Sequence, residues 1–154
     1  MTVVVGEPVP DFNLPRDGGG NAGPADYRGR KLVLYFYPKD DTPGCTTEAL
    51  DFTAAMPEFE AAGTGVVAVS KDGVKSHDRF RDKHGLAIPL LADETGAVVE
   101  RFGLWGEKTM YGRTFMGVER ATFLIDAAGI VRRIWPKVRV AGHVKEVLAA
   151  AQAL

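Results

Sequence analysis

Cys45 is the only cysteine in the 154-residue chain, and the residues around it are not those of an ordinary buried thiol. Pro38, Thr42, Pro43 and Gly44 lie between the apolar segment Leu32–Tyr37 and a helical pattern in which Phe52, Met56 and Phe59 fall at i, i+4 and i+7. Thr42-Pro43 reads as a helix N-cap followed by proline at the first helical position. Cys45 therefore belongs in the first turn, among unpaired backbone N–H groups and at the positive end of the helix dipole. A thiol in that place ionises more readily, and the thiolate is the nucleophile. Local physics alone leaves open whether Cys45 is such a nucleophile or a small buried apolar group.

The same stretch resembles a known pattern. Pro38-x-x-x-Thr42-x-x-Cys45 is similar to the active-site motif of the peroxiredoxins. The longer run Tyr35–Glu48 is similar to that of their bacterioferritin-comigratory-protein or PrxQ branch, an AhpC/TSA-like group. Gly6-Glu7-x-x-Pro10-Asp11-Phe12-x-Leu14, Ala92–Gly96, Trp105–Gly112 and Arg120–Asp126 resemble further segments of that branch, so the likeness runs through most of the chain.

The resemblance implies a thiol-dependent peroxidase that reduces hydrogen peroxide and organic hydroperoxides through a sulfenic acid on Cys45, without cofactor or metal. Such chemistry needs a deprotonated sulfur, an O–O bond held on the sulfur axis, and stabilisation of the charge developing on the leaving oxygen. Thr42 carries a hydroxyl able to donate and accept, and stands as either the helix cap or a contact to peroxide and thiolate. Pro38 would shape the pocket and shield the thiolate. Arg120 would be an exposed charge on sequence alone. The resemblance sets it beside Cys45, where its fork of donors would hold the thiolate and polarise peroxide. Glu48, three residues beyond Cys45 and on the same helix face, would orient Arg120 or simply favour the helix start. His77, His84 and His143 are expected to be exposed or satisfied side chains. His77 and His84 lack the spacing of a helical metal pair, and Gly18-Gly19-Gly20 is no phosphate loop.

One departure matters. Many members of this branch carry a second cysteine five residues after the nucleophile, and here that position is Leu50. A one-cysteine cycle follows, in which an external thiol (thioredoxin, glutaredoxin or a low-molecular-weight thiol) attacks the sulfenic acid. A thiol–disulfide oxidoreductase normally needs Cys-x-x-Cys, which is absent. A non-catalytic binding or holdase module with an inert Cys45 is the third reading.

Composition sets the frame. Hydrophobic residues make up 45% and charged residues 25%, as in globular proteins, and the formal net charge of -1 gives no footprint for nucleic acid or anionic membrane. No apolar run is long enough for a membrane helix, and Val3-Val4-Val5 followed by Gly6-Glu7-Pro8 is not a signal peptide. A lone thiol fits a reducing, cytoplasmic setting. Residues 1–154 are expected to form one domain, as a monomer or homodimer.

Around the site, Met1–Asp26 reads as a turn-rich extension with a short edge strand at Phe12 and Leu14. Pro57 should break or kink the Cys45 helix near Met56, leaving a second short helical piece from Pro57 to Ala62 that ends at Gly63. Strands are expected at Gly65–Ser70 and Pro89–Ala92, and helices at Val74–His84, capped by Gly85, and at Thr95–Phe102. Leu104–Glu119 reads as an irregular connection, Arg120–Asp126 and Ile130–Trp135 as a hairpin, and Val144–Leu154 as an amphipathic helix. This order gives an α/β architecture with a mixed central sheet flanked by helices. The resemblance implies a thioredoxin fold with an N-terminal extension.

Overall fold

The computed structural model describes residues 3–154; the first two residues of the turn-rich N-terminal segment lie outside the described part. A sheet of order β5-β4-β3-β8-β9 forms the centre. Its strands are β3 (Lys31–Phe36), β4 (Thr64–Ser70), β5 (Leu90–Ala92), β8 (Ala121–Ile125) and β9 (Val131–Trp135). Strands β3, β4 and β5 run parallel, whereas β8 pairs antiparallel with β3 and β9 antiparallel with β8. This is the mixed sheet of a thioredoxin fold. The N-terminal segment contributes two-residue strands, β1 (Leu14–Pro15) and β2 (Asn21–Ala22), which pair with each other.

The period-2 side-chain alternation of β3 divides the core. Val33, Tyr35 and the following Tyr37 face α1 (Pro43–Ala61), α2 (Val74–His84) and α4 (His143–Ala153) in a cluster with Cys45, Phe52, Phe59, Phe80 and Val147. Leu32, Leu34 and Phe36 face the other way, against Val9, Ala22, Val118 and the α3 segment (Ala97–Arg101) with Phe102. Both faces of the strand are covered, so its sequence is continuously apolar.

Two expectations fail for physical reasons. Helix α1 continues through Pro57 to Ala61. Pro57 is exposed, so the carbonyl it frees one turn earlier lies on the wet side, while Phe52 and Phe59 are fully buried on either side of it and hold the helix to the sheet. The connection Leu104–Glu119 is a regular hairpin, β6 (Trp105–Met110) against β7 (Arg113–Val118), turning at Tyr111 and Gly112, both with positive φ. It has little apolar alternation because much of it is exposed, with Tyr111 96% accessible. Among the described residues no helix is long and apolar enough to cross a membrane.

Candidate active site

The turn after β3 carries Pro38 and Thr42, and α1 begins at Pro43. Thr42 takes the N-cap position with extended backbone, and its carbonyl accepts from the Thr46 amide at 2.8 Å. Its hydroxyl makes no cap bond. It donates to the Lys39 carbonyl at 2.8 Å, which leaves the oxygen's lone pairs to accept. Pro38 is half-buried beside this turn.

Cys45 is a free thiol in the first turn, 2% exposed. The pairing Phe36↔Ala121 brings the residue before β8 alongside the end of β3, and that residue is Arg120. Arg120 Nη2 donates to Cys45 Sγ at 3.3 Å, and Nη1 donates to Glu48 Oε1 at 2.7 Å. Gly44 permits the approach: a Cβ there would lie 3.2 Å from Arg120 Nη2. Burial opposes the charge on Arg120, but Glu48 and Cys45 outweigh it and raise its pKa.

Glu48 is fully buried, and burial pushes its carboxyl up to about 7, with Arg120 opposing and Asp51 adding. Its second oxygen, Oε2, has no hydrogen-bond partner among the described residues. Neither has the hydroxyl of Tyr35, whose ring stacks on Phe52 with centroids 4.5 Å apart. Burial, then Glu48 and Cys45, raise the Tyr35 phenol well above its usual value.

The structure thus brings Cys45, Arg120 and Glu48 into direct contact and sets Thr42 and Pro38 on the adjoining turn. It places no Thr42–Cys45 hydrogen bond. Two further groups escaped sequence reasoning because long-range contacts define them. One is Lys108 on β6, whose Nζ donates to the Val118 carbonyl at 2.9 Å. Burial and then Arg120 lower its pKa, with Cys45 opposing. A cavity of about 390 Å³ lies between the hairpin and Arg120, lined in part by Trp105, Lys108, Glu119, Lys137 and Val138.

The other is a buried clamp on the Pro38–Thr42 turn. Asp40 accepts from the Tyr37 hydroxyl at 2.6 Å and the Ser76 hydroxyl at 2.8 Å, and His77 Nδ1 lies 2.7 Å from its Oδ2. His77 Nε2 faces the Leu91 carbonyl at 2.9 Å. A carbonyl only accepts, so Nε2 carries a proton, and a second proton lies between Nδ1 and Asp40. Burial works against a charge on His77, but Asp40 outweighs it and the ring's pKa is raised. Asp41, at φ 58°, binds Lys83 and His84 at 2.7 and 2.8 Å. The turn is therefore fastened to α2. The sequence signal was faint: His77 lies three residues before Phe80 on the buried face of α2. His143, also buried, meets the Thr122 hydroxyl at 2.8 Å, so two of the three histidines are satisfied core groups and His84 binds at the surface. Among the described residues no three His, Cys, Asp or Glu side chains are grouped to hold a metal.

Comparison with known proteins gives a consistent picture. The family model described as AhpC/TSA matches residues 5–134. The protein named peroxiredoxin Bcp from Xanthomonas campestris pv. campestris is 49% identical over 148 residues, 95% of this chain and 92% of that protein. The peroxiredoxin Bcp of Bacillus subtilis is 43% identical over 96% of this chain and 94% of its own length. Among solved structures, the Xanthomonas campestris bacterioferritin comigratory protein, described for alkyl peroxide reduction with trapped intermediate and ligand complexes, superposes with a TM-score of 0.86. It is 48% identical, covering 92% of this chain and 90% of that one. A cysteine-to-serine variant of Xylella fastidiosa PrxQ gives 0.93 at 39% identity, covering 99% and 98%.

Proposed function

The chain belongs to the AhpC/TSA family, in its Bcp/PrxQ branch, and is a thiol-dependent peroxidase; on that premise we propose that Cys45 is its peroxide-reacting thiol and that an external thiol completes the cycle. The observation that carries this reading is the single guanidinium of Arg120 spanning Cys45 Sγ and Glu48 in the first turn of α1.

In this reading Cys45 thiolate attacks one oxygen of hydrogen peroxide or an organic hydroperoxide and becomes a sulfenic acid. Arg120 holds the thiolate and the polarised O–O bond. Thr42, its proton engaged by Lys39, accepts from the peroxide O–H. Pro38 closes the pocket wall. Burial of the sulfur excludes water and leaves the approach of peroxide to be guided by these few donors and acceptors.

The chain has one cysteine, so no intramolecular disulfide can form. Solved structures of the Xanthomonas relative include variants in which either of two different cysteines is replaced, so that protein has a second thiol which this chain lacks. Resolution by thioredoxin, glutaredoxin or a low-molecular-weight thiol follows. We read the 154 residues as one cytoplasmic thioredoxin-like domain, monomeric or homodimeric.

Intact-protein mass spectrometry tests the cycle. Peroxide followed by a small thiol is expected to give a mixed disulfide at Cys45, reversed by a second thiol, and Cys45→Ser is expected to abolish peroxide consumption. Unmodified or only irreversibly oxidised Cys45 would contradict the reading.

A further inference from the structure

The proposed active site holds more acid than its one guanidinium can balance. Arg120 donates to Cys45 Sγ at 3.3 Å and to Glu48 Oε1 at 2.7 Å, while Cys45 is 2% exposed and Glu48 is not exposed at all. Among the described residues, the groups around Glu48 supply no second cation. Its own helix contributes Cys45 and Asp51, β3 contributes the Tyr35 hydroxyl, and Arg120 enters ahead of β8. Lys108 from β6 interacts with Arg120, Cys45 and Glu119, and His143 from α4 with Glu146 and Arg120, but neither interacts with the Glu48 carboxyl. With both acids ionised, the one guanidinium bonded to Glu48 would face two buried anions at once. The orphan oxygen Oε2 points to the same conclusion, since no donor of the described residues reaches it. A buried carboxylate oxygen with no donor is far more costly than a neutral carboxyl in the same place.

We propose that Glu48 holds a proton in the reactive, reduced enzyme and gives it up when Cys45 is oxidised, so that Arg120 faces one anion before and after the reaction. The inference rests on Cys45 being the reacting thiol. In the reduced state the anion is the Cys45 thiolate, and Glu48 is a neutral carboxylic acid accepting from Arg120 through its carbonyl oxygen. The thiolate attacks the hydroxyl-bearing oxygen of the hydroperoxide. An S–O bond forms, the O–O bond breaks, and its electron pair leaves on the other oxygen. Sulfur is oxidised to a neutral sulfenic acid, the peroxide is reduced, and the leaving alkoxide or hydroxide gains one proton. Glu48 loses one proton, so the exchange with solvent balances, and the new carboxylate inherits the Arg120 ion pair. Glu48 touches neither sulfur nor peroxide. It is a positioning residue that acts through Arg120, keeping the guanidinium fully available to the thiolate when peroxide arrives. The raised pKa of the carboxyl, at about 7, agrees with this assignment.

Infrared difference spectra test it on wild-type protein labelled with carbon-13 glutamate, reduced and then oxidised with one equivalent of hydrogen peroxide near neutral pH. Mass spectrometry on the same sample reports oxygen gained by Cys45. The expected result is loss of one protonated glutamate carboxyl band and gain of one carboxylate band per Cys45 oxidised, with both changes absent in Glu48→Gln. If Cys45 gains its oxygen and no protonated glutamate band is lost, the inference is overturned while the peroxidase reading stands. If Cys45 gains no oxygen, the reading beneath it falls as well, and the inference with it. The glutamate label makes the wild-type spectrum decisive even if Glu48→Gln does not fold.

Discussion

Arg120 is a cation with two buried partners, and removing it exposes what each partner costs alone. Glu48 has a folded pKa of about 7 against an ordinary value of 4.5, so the folded state binds an extra proton between those limits. Stability from that proton is present at low pH and lost as pH rises through the folded value. Arg120→Met takes away the cation that opposes this rise, and breaking a buried pair typically costs about 3–5 kcal/mol. The variant is therefore expected to lose about 3 kcal/mol near pH 8 and markedly less near pH 5, where Glu48 is already neutral. Adding Glu48→Gln to Arg120→Met should recover much of the loss near pH 8. Urea unfolding at the two pH values measures this. Equal losses at both would mean that Glu48 is not the group left unbalanced. The resemblance set Arg120 beside Cys45 and left Glu48 either orienting Arg120 or favouring the helix start; the fold shows one guanidinium bonded to both acids.

At the scale of elements, the turn that carries Pro38 and Thr42 is held by α2 as much as by α1. The proton between His77 and Asp40 makes this attachment pH-dependent. The folded pKa of His77 is raised above its ordinary 6.5. Its contribution is thus full below that value and declines as pH rises through the folded pKa. The melting temperature of the wild type is expected to fall as pH rises above 6.5 and through the folded pKa of His77. In His77→Asn that slope should flatten, and peroxide reactivity of Cys45 should drop as the turn loosens. Calorimetry across this range checks it, and an unchanged slope in the variant would remove His77 from the clamp. Such a clamp was hardly legible in the sequence. Helix α2, its Gly85 cap at positive φ and the strands β3 and β4 followed from local pattern. The meeting of Asp40 with His77 spans 37 residues and depends on strand order. The helix through Pro57 and the β6–β7 hairpin were misread for related reasons. Core packing by Phe52 and Phe59 overrode a local breaker, and an exposed hairpin has no apolar face to betray its period.

For the whole molecule, the site lies where parallel strands end. The turns after β3 and β4 and the start of α1 gather at that edge, the place where open α/β sheets commonly receive ligands. The antiparallel β8 enters the same edge from the opposite direction, which is how a residue 75 positions from Cys45 reaches its sulfur. The α/β class and the mixed sheet follow from the order of elements in the sequence, whereas the placing of β8 beside β3 does not. The pairing of Arg120 with Cys45 came from resemblance rather than from spacing, because no local pattern encodes it. The most direct measurement is the second-order rate of Cys45 oxidation by hydrogen peroxide near neutral pH in wild type, Thr42→Val and Arg120→Met. We expect a wild-type rate orders of magnitude above that of a free thiol, reduced about 100-fold or more in Arg120→Met and substantially in Thr42→Val, as when a donor to developing negative charge is lost. A wild-type rate like that of a free thiol, untouched by either substitution, would contradict the assignment of Cys45, Thr42 and Arg120 to the peroxide site.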